Sequence, residues 1–221
     1  RDLHSFPTRR SSDLHIVKYC GTGGVFSKGD TPGGQQYTAE EVTALIDEAH
    51  MHGRRVAVHA HGADGIKVAI RAGVDTVEHA SLIDDEGLRM AKQAGTYLSM
   101  DIYNTDYTQS EGPKRGELEE FLRKDREVAQ VQRDNFRKAV KAGIKLIFST
   151  DAGVYRHGDN AKQFAVMVQY GMTPLQAIQA ATINGADALG LKGKIGVIAP
   201  GHAADIVAVK NDPLEIGRAH V

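Results

Sequence analysis

The stretch that decides the fold is Arg54–Ser81, RRVAVHAHGADGIKVAIRAGVDTVEHAS, in which two short apolar runs each end in a histidine. Val56–His59 predicts a buried parallel strand, residues 63–71 predict a crossover helix, and Val74–His79 predicts the next strand. Two parallel strands joined by a helix form a β-α-β unit. The sequence therefore predicts an α/β fold.

A six-residue step connects the glycine that ends each predicted helix with the polar residue that ends the next strand. The step separates Gly53 from His59, Gly73 from His79 and Gly95 from Asp101. Glycine commonly follows the last turn of a helix, because it adopts the left-handed conformation without strain. Polar groups that recur at the carboxyl ends of parallel strands are typical of the active site of a β/α barrel.

Composition limits the class of protein and its partners. The chain has 221 residues, of which 41% are hydrophobic and 25% are charged, so it can bury a core as one globular unit. Its net charge of −1 gives no reason to expect nucleic acid or an anionic membrane as partner, and no apolar run reaches the roughly 18 residues of a membrane span. The single cysteine, Cys20, excludes an internal disulfide framework, which favours a cytoplasmic location slightly over a periplasmic one.

Both ends of the chain differ in character from the rest. HSFPTRRSSDL (His4–Leu14) and EIGRAHV (Glu215–Val221) each resemble a translated sequencing adapter, so both are left out of the fold prediction. The alternative for His4–Leu14 is a basic, serine-rich leader or a transit peptide. With the adapter interpretation, residues 1–14 are a foreign leader, residues 215–221 are a foreign tail, and the segment between them is an internal fragment of a longer protein.

The rest of the chain continues the alternation of strands and helices. Further strands are expected at 15–20, 96–101 and 144–151. Two further helices begin at the predicted caps Thr38 and Asp84 and run to Gly53 and Ala94. The remaining helices are expected at about 117–142, in the segment that follows the loop at 152–160 and ends at Tyr170, and from Thr173 to about Leu189. Residues 102–116 are expected to be a long polar loop, and the charges at 117–142 favour a solvated helix face. Short β runs at 193–214 predict a small accessory sheet.

Three strand-end side chains lie far apart in the sequence but in one ring of a parallel barrel, namely His59, His79 and Asp151. Two imidazoles and a carboxylate suit Zn, Mn, Fe or Ni, of which zinc is the commonest. His61 has the same strand parity as His59, so it is a second ligand, a substrate-facing group, or a residue that supports the ligands. The alternative for each histidine taken alone is a hydrogen-bonded core or loop residue.

Lys18 interrupts the apolar strand at 15–20, where a lone buried ammonium would be costly. The side chain therefore either reaches solvent at the edge of the sheet or faces the barrel axis at a metal site. The following GTGG, Gly21–Gly24, lacks the Lys-Ser/Thr pair of a P-loop and is a weak phosphate-binding signal. Residues 25–36 form a polar loop that is long enough to lie over a site.

The segments VAVHAHG, VEHAS, FSTDAG and APGHAADIVAV, in this order and spacing, resemble the amidohydrolase superfamily, and most of all its imidazolonepropionase-related branch, which includes metal-dependent Xaa-Pro dipeptidases (prolidases). The resemblance covers residues 15–214 and implies a distorted (β/α)8 barrel of the TIM type that binds one or two divalent metal ions. On this basis residues 15–189 are about strands 4 to 8 of a partial barrel, and residues 190–214 are part of an accessory β domain. The family's strand-one His-x-His pair has no counterpart, because the one HAH lies on predicted strand five.

The resemblance also implies roles for individual residues. His59 and His79 would be the metal ligands of strands five and six, and Asp151 the ligand of strand eight. Lys18 would be the strand-four lysine that is carboxylated by CO2 and bridges two metals in binuclear members, which removes the cost of a buried ammonium. A metal-activated hydroxide would attack the substrate carbonyl, and Asp151 would accept the water proton and pass it to the departing amine.

Four further side chains are expected to hold the substrate carboxylate or the tetrahedral oxyanion: His61, Tyr103, Arg156 and His157. The expected function is hydrolysis of amide bonds in dipeptides or N-acyl amino acids. The intact protein is compatible with a homo-oligomer, and the fragment alone is expected to be inactive. Two alternatives stay open: an imidazolonepropionase-like cyclic amide hydrolase or deaminase, which Lys18 disfavours, and a non-catalytic β/α fragment with packed histidines, from which metal content distinguishes both enzyme classes.

Overall fold

The computed structural model describes residues 15–216, so the leader at 1–14 and most of the tail at 215–221 lie outside the described residues. One sheet contains five parallel strands in their order along the chain. These strands are β1 Ile16–Cys20, β2 Arg55–Gly62, β3 Thr76–Leu82, β4 Tyr97–Ser99 and β5 Leu146–Ile147. Sequential parallel strands with helical connections are the arrangement of a β/α barrel, which confirms the predicted fold class.

Helices connect and cover the strands. Within residues 15–216 they are α1 Ala39–Met51, α2 Ala63–Arg71, α3 Asp85–Ala94, α4 Asn104–Arg115, α5 Glu119–Ala142, α6 Lys162–Gln169, α7 Pro174–Ala181 and α8 Ile183–Ala188. Thr38 forms the predicted capping box with Glu41, and the left-handed Gly95 and Gly143 end α3 and α5. No helix in this part of the chain combines the length and apolar character that a bilayer crossing requires.

The apolar core lies between the outer face of the sheet and the helices. Val56 and Val58 of β2 are fully buried there with Ile46 of α1 and Ile66 of α2. Complete burial of a side chain of this size stabilises the fold by about 1.5–3 kcal/mol. Alternation along β2 then directs His59 to the inner face, so the packing of the core determines where the candidate site lies.

Residues 104–115 form α4, where a long polar loop was predicted. The helix carries few apolar residues, and polar contacts with α5 hold it in place. Asp125 of α5 accepts hydrogen bonds from Thr105 Oγ1 at 2.8 Å and from Gln109 Nε2 at 2.6 Å. Tertiary contacts of this kind override a weak intrinsic helix signal, which is why the pattern of apolar residues did not indicate this helix.

The carboxyl-terminal segment also differs from its expectation. Among residues 190–214 the structure forms no β-strand, and the pairing there is an isolated bridge between Lys192 and Ile195. Ile198 and Val207 are each 86% exposed. Extended apolar segments need a partner strand for their backbone groups, and within the described residues none lies against this segment. The boundary between a barrel and an accessory domain stays a prediction.

The predicted last helix is interrupted. A single helix was expected from Thr173 to about Leu189, but the chain breaks at Thr182, whose φ of −119° and ψ of −90° lie outside the helical region. Thr182 ends α7 and begins α8. The hydroxyl of Thr182 donates to the carbonyl of Ile178 at 2.8 Å, a backbone contact that competes with regular helix geometry.

Candidate metal centre

Three imidazoles meet at the carboxyl ends of β2 and β3. The ring centroids lie 4.6 Å apart for His59 and His79, 4.8 Å apart for His59 and His61, and 4.8 Å apart for His61 and His79. One ligand nitrogen from each ring lies within 4.8 Å of the other two. The structure thus brings together two predicted metal ligands and places His61 directly beside them.

An unusual backbone turns His79 towards the other two rings. In the parallel register His79 lies opposite Ala60, so a regular strand would direct its side chain away from the face of His59. Instead His79 has a φ of 67° and Ala80 has a φ of 48°, in the left-handed region that residues other than glycine rarely adopt. Such strain costs about 1–3 kcal/mol per residue and clusters at functional sites.

Two carboxylates complete the cluster. Asp101 Oδ1 accepts a hydrogen bond from His79 Nδ1 at 2.9 Å, and Asp101 is only 5% exposed. His79, Asp101 and Asp151 form a second group of donors whose ligand atoms lie within 4.8 Å of one another. Asp101 was missed as a site residue, although it ends the third of the glycine-to-polar steps, beginning at Gly95, that marked His59 and His79.

Hydrogen bonds hold two of the three rings by their Nδ1 atoms. His61 Nδ1 lies 2.8 Å from Ser81 Oγ, and the backbone N–H of His61 donates to Thr22 Oγ1 at 2.9 Å. His79 Nδ1 is held by Asp101 in the same way. Because the second ring nitrogen fixes the tautomer of a metal-binding histidine, both rings present Nε2 as the ligand atom.

Electrostatics keep two of the imidazoles neutral. Burial and the neighbouring His79 lower the pKa of His59 to about 4, and burial with His79 also lowers the pKa of His61 well below its usual value. Burial opposes charge on His79, but the Asp101 carboxylate outweighs it and raises the pKa of His79. Burial likewise opposes the Asp101 carboxylate, but His79 lowers its pKa. Neutral imidazole is the form that binds metal.

Lys18 is exposed on the edge strand β1, on the same face of the sheet as His59, and its role at a metal site stays a prediction. It lies opposite Ala57 in the register, on the inner face of the sheet. Its ammonium contributes to lowering the pKa of His59 and opposes the rise in the pKa of Asp151. Burial and the Asp101 carboxylate are the larger influences on Asp151 and raise its pKa.

The glycine-rich segment 21–36 lies against the histidine-bearing strand β2; the loop predicted to cover a site was its part at 25–36. A side-chain carbon on Gly62 would lie 2.1 Å from the carbonyl oxygen of Gly33, so the loop and β2 touch through bare backbone. A side-chain carbon on Gly24 would lie 3.2 Å from His59 Nε2. Lys124 Nζ on α5 donates to the carbonyl of Ser27 at 2.6 Å, which fixes the outer end of the loop.

The predicted substrate residues other than His61 lie on loops and helix ends around the cluster. Tyr103 precedes α4 and contacts the ring of Tyr155 edge-on at 5.1 Å. Arg156 and His157 are exposed on the loop after β5, and Arg156 contributes to lowering the pKa of Glu111. Their contact with a substrate stays a prediction, whereas His61 is buried among the candidate ligands.

The donor set fits a borderline transition-metal cation. Imidazole nitrogens and carboxylate oxygens are the ligands of Zn²⁺, Mn²⁺, Fe²⁺ and Ni²⁺, and a structural role for the histidines would not require their nitrogens to converge. The two donor groups share His79, so the cluster has the composition for one ion or for two neighbouring ions. The arrangement can therefore polarise a carbonyl beside a carboxylate that accepts protons.

Comparison with known proteins identifies relatives of this arrangement. A model described as the amidohydrolase family matches residues 5–220. Ochratoxinase from Aspergillus niger is 33% identical over 202 residues, which cover 90% of this chain and 42% of that protein. Imidazolonepropionase from Streptococcus gordonii is 26% identical over 182 residues, which cover 77% of this chain and 50% of that protein. The chain therefore spans about half the length of these curated relatives or less.

Solved structures of related hydrolases resemble this chain as well. A Xaa-Pro dipeptidase with methionine bound in its active site superimposes with a TM-score of 0.88 at 40% identity, covering 94% of this chain and 52% of that chain. A prolidase in complex with N-methylphosphonate-L-proline superimposes with a TM-score of 0.82 at 30% identity, covering 89% of this chain and 48% of that chain.

Proposed function

This chain belongs to the amidohydrolase family, and from that premise we propose that the protein that carries it is a metal-dependent hydrolase of amide C–N bonds. The observation that carries the proposal is the convergence of His59, His61 and His79 with Asp101 and Asp151 at the carboxyl edge of a parallel sheet. A β/α barrel places its chemistry at this edge. Packed structural histidines would not need to bring their ligand nitrogens together.

His59, His79 and Asp151 would hold the ion, and zinc is the commonest metal for this donor set. His59 and Asp151 belong to different groups of donors, which His79 links. When bound, the ion supplies Lewis acidity for the substrate carbonyl and acidifies water. Lys18, carboxylated on its amine, would hold a second ion. Asp101 holds His79 through Nδ1, which fixes the ring that both donor groups share.

Asp151 is the proposed general base. Its carboxylate lies beside His79 and Asp101, and partial burial together with the Asp101 charge raises its pKa, although the residue as a whole is exposed. From this position it would accept the water proton and pass it to the departing amine. The backbone of Asp151 has a φ of 47°, a left-handed conformation that few residues other than glycine adopt and that is found most often at functional sites.

The proposed substrates are dipeptides or N-acyl amino acids with a free carboxylate. Support comes from the two solved relatives, one a Xaa-Pro dipeptidase that holds methionine in its active site and the other a prolidase complexed with a proline phosphonate. The alternative, a cyclic amide as for imidazolonepropionase, has the weaker support of a relative at 26% identity. Assays of the complete protein with Xaa-Pro dipeptides and with imidazolonepropionate, before and after chelation, test both. Turnover that chelation leaves unchanged would contradict the metal dependence.

Replacing Lys18 with alanine should reduce the metal content of the complete protein from about two ions towards one, because a carboxylated Lys18 would be a ligand of the second ion. Elemental analysis of protein purified with bicarbonate measures this. Short carboxylates such as formate should partly restore the second ion by occupying the same position. Lys28→Ala, in the exposed part of the loop at 21–36, is the control. Unchanged stoichiometry in Lys18→Ala would show that Lys18 is structural.

Replacing Arg156 with methionine should lower kcat/KM for free dipeptides by roughly ten- to a hundredfold, the equivalent of about 1.5–3 kcal/mol for a charge-assisted hydrogen bond. Dipeptide amides lack the carboxylate and should lose far less. The control is Arg123→Met, since Arg123 pairs with Glu127 on the surface of α5 at 2.6 Å. Equal losses for acids and amides would exclude Arg156 as the carboxylate-binding residue.

A further inference from the structure

The helix α5 presents a buried polar face to the candidate metal centre, although its charged residues predicted a solvated face. Gln132 is 6% exposed and Asn135 is 5% exposed, and they lie three residues apart on one side of the helix. Residues at this spacing are neighbours on a helix surface. Burying an amide costs free energy unless it is hydrogen-bonded, so the hydrogen-bond partners of these two side chains indicate the role of this helix face.

Both amides donate to the end of β3, where the imidazoles meet. Gln132 Nε2 donates to the carbonyl of His79 at 3.1 Å and to Asp101 Oδ1 at 3.2 Å. Asn135 Nδ2 donates to the carbonyl of Ser81 at 3.0 Å. Gln132 therefore holds His79 and its carboxylate partner together, and Asn135 holds the residue whose hydroxyl supports His61.

The end of β3 that accepts these hydrogen bonds is also the part of the site with a strained backbone. His79 and Ala80 have positive φ angles, and the pairing of β3 with β4 ends at Glu78. Pairing with β2 continues to Leu82 but is irregular there, so His79 and Ser81 have a neighbouring strand on one side only. A strained conformation persists when its surroundings determine it from several sides. The amides of α5 supply hydrogen bonds to this segment where β4 no longer pairs with it.

We propose that Gln132 and Asn135 are positioning residues that hold His79 and, through Ser81, His61 in the geometry that binds metal. Gln132 acts on His79 by its carbonyl and on the Asp101 carboxylate that fixes the ring. Asn135 acts on His61 by way of Ser81. The inference rests on the proposed metal centre, and it assigns to α5 a role in the metal site that none of its charged residues has.

Two matched substitutions in this chain test the proposal. Gln132→Met keeps the length of the side chain and removes both donors, whereas Gln130→Met makes the same change on the surface, where Gln130 pairs with Asp134 at 3.0 Å. We expect the dissociation constant for Zn²⁺, measured by competition with a chelator, to rise about tenfold or more in Gln132→Met. It should be unchanged in Gln130→Met. Asn135→Leu should have a smaller effect in the same direction.

A second measurement needs no metal. In the metal-free chain, NMR of the histidine side chains should show a shifted His79 ring in Gln132→Met and a shifted His61 ring in Asn135→Leu, with exposed His52 unchanged in both. If Gln132→Met does not fold, Gln132→Glu keeps the size and places a carboxylate against Asp101, so the same shifts and loss of affinity are expected.

The outcomes separate the positioning role from the proposed function. Wild-type affinity together with unshifted His79 and His61 rings would overturn the positioning role and leave the metal centre intact, even if the melting temperature fell. A wild-type chain that binds no Zn²⁺ would count against the proposed function, while the ring shifts would still decide whether α5 sets the position of the imidazoles.

Discussion

Replacing Asp151 with asparagine is expected to lower kcat of the complete protein by about 10²- to 10⁴-fold, the range that a positioned general base contributes. Asparagine has nearly the same shape and keeps an oxygen that binds metal, but it cannot accept a proton. The loss should therefore be in turnover rather than in metal content or substrate affinity. Steady-state kinetics on a dipeptide substrate, with metal content measured on the same samples, provide the test.

The control for this substitution is Asp159→Asn in the same loop. Asp159 pairs with Lys162 at 3.2 Å and is not a member of either group of donors, so activity should stay near that of the wild type. Two results would contradict the assignment. If Asp151→Asn retained turnover with metal bound, a different base would be required, whereas loss of the metal itself would make Asp151 a ligand first and leave its role in proton transfer without support.

The sequence could predict the positions of two members of the first donor group because their signal is local. A histidine six positions after the glycine that ends a helix is a pattern that any β-α-β unit can show. It placed His59 and His79 near the carboxyl ends of β2 and β3, although these strands continue to Gly62 and Leu82. The strand-end position of Asp101 carried the same pattern, but a single aspartate after a short strand has many uses. Its role depends on a contact with His79 that the sequence does not display.

Side-chain parity was a weaker guide than strand position. Simple alternation would place His79 on the outer face, opposite Ala60, and only the left-handed backbone at His79 turns it inward. Neither residue type nor spacing indicates a positive φ at a histidine. The convergence of the rings is therefore a tertiary result, determined by the contacts of the β3 end with its neighbours.

Polar contacts explain why the sequence did not predict the helix α4 or the buried face of α5. The residues of α4 and the buried face of α5 look solvent-exposed by composition, yet Asp125, Gln132 and Asn135 are buried and hydrogen-bonded. A prediction from periodicity counts apolar residues, so it overlooks a helix face whose polar side chains are buried because each has a hydrogen-bond partner. Such faces occur where a helix supports a site rather than a core.

Replacing His79 with asparagine is expected to weaken Zn²⁺ binding by this chain roughly a hundredfold or more while the fold persists. His79 is the residue that the two donor groups share, and Nε2 is the ligand atom that it offers while Asp101 holds Nδ1, so its loss removes a ligand from the centre of the cluster. Asparagine retains a donor close to the position of Nδ1 and can still bond Asp101, and it tolerates the left-handed backbone that His79 adopts at a φ of 67°. The change therefore deletes Nε2 and little else.

His79→Ala separates the structural part of this effect from the loss of the ligand. Alanine removes the imidazole that pairs with the buried Asp101 carboxylate and leaves the amides of Gln132 and Asn104 on it. Removing one partner of a buried charged pair destabilises a fold by about 3–5 kcal/mol. We expect both variants to lose metal, measured by competition with a chelator, but only His79→Ala to show a large fall in melting temperature. His52→Ala on the exposed end of α1 should change neither quantity. If His79→Asn bound Zn²⁺ as tightly as the wild type, the ion would be held elsewhere and the centre described here would be a structural cluster.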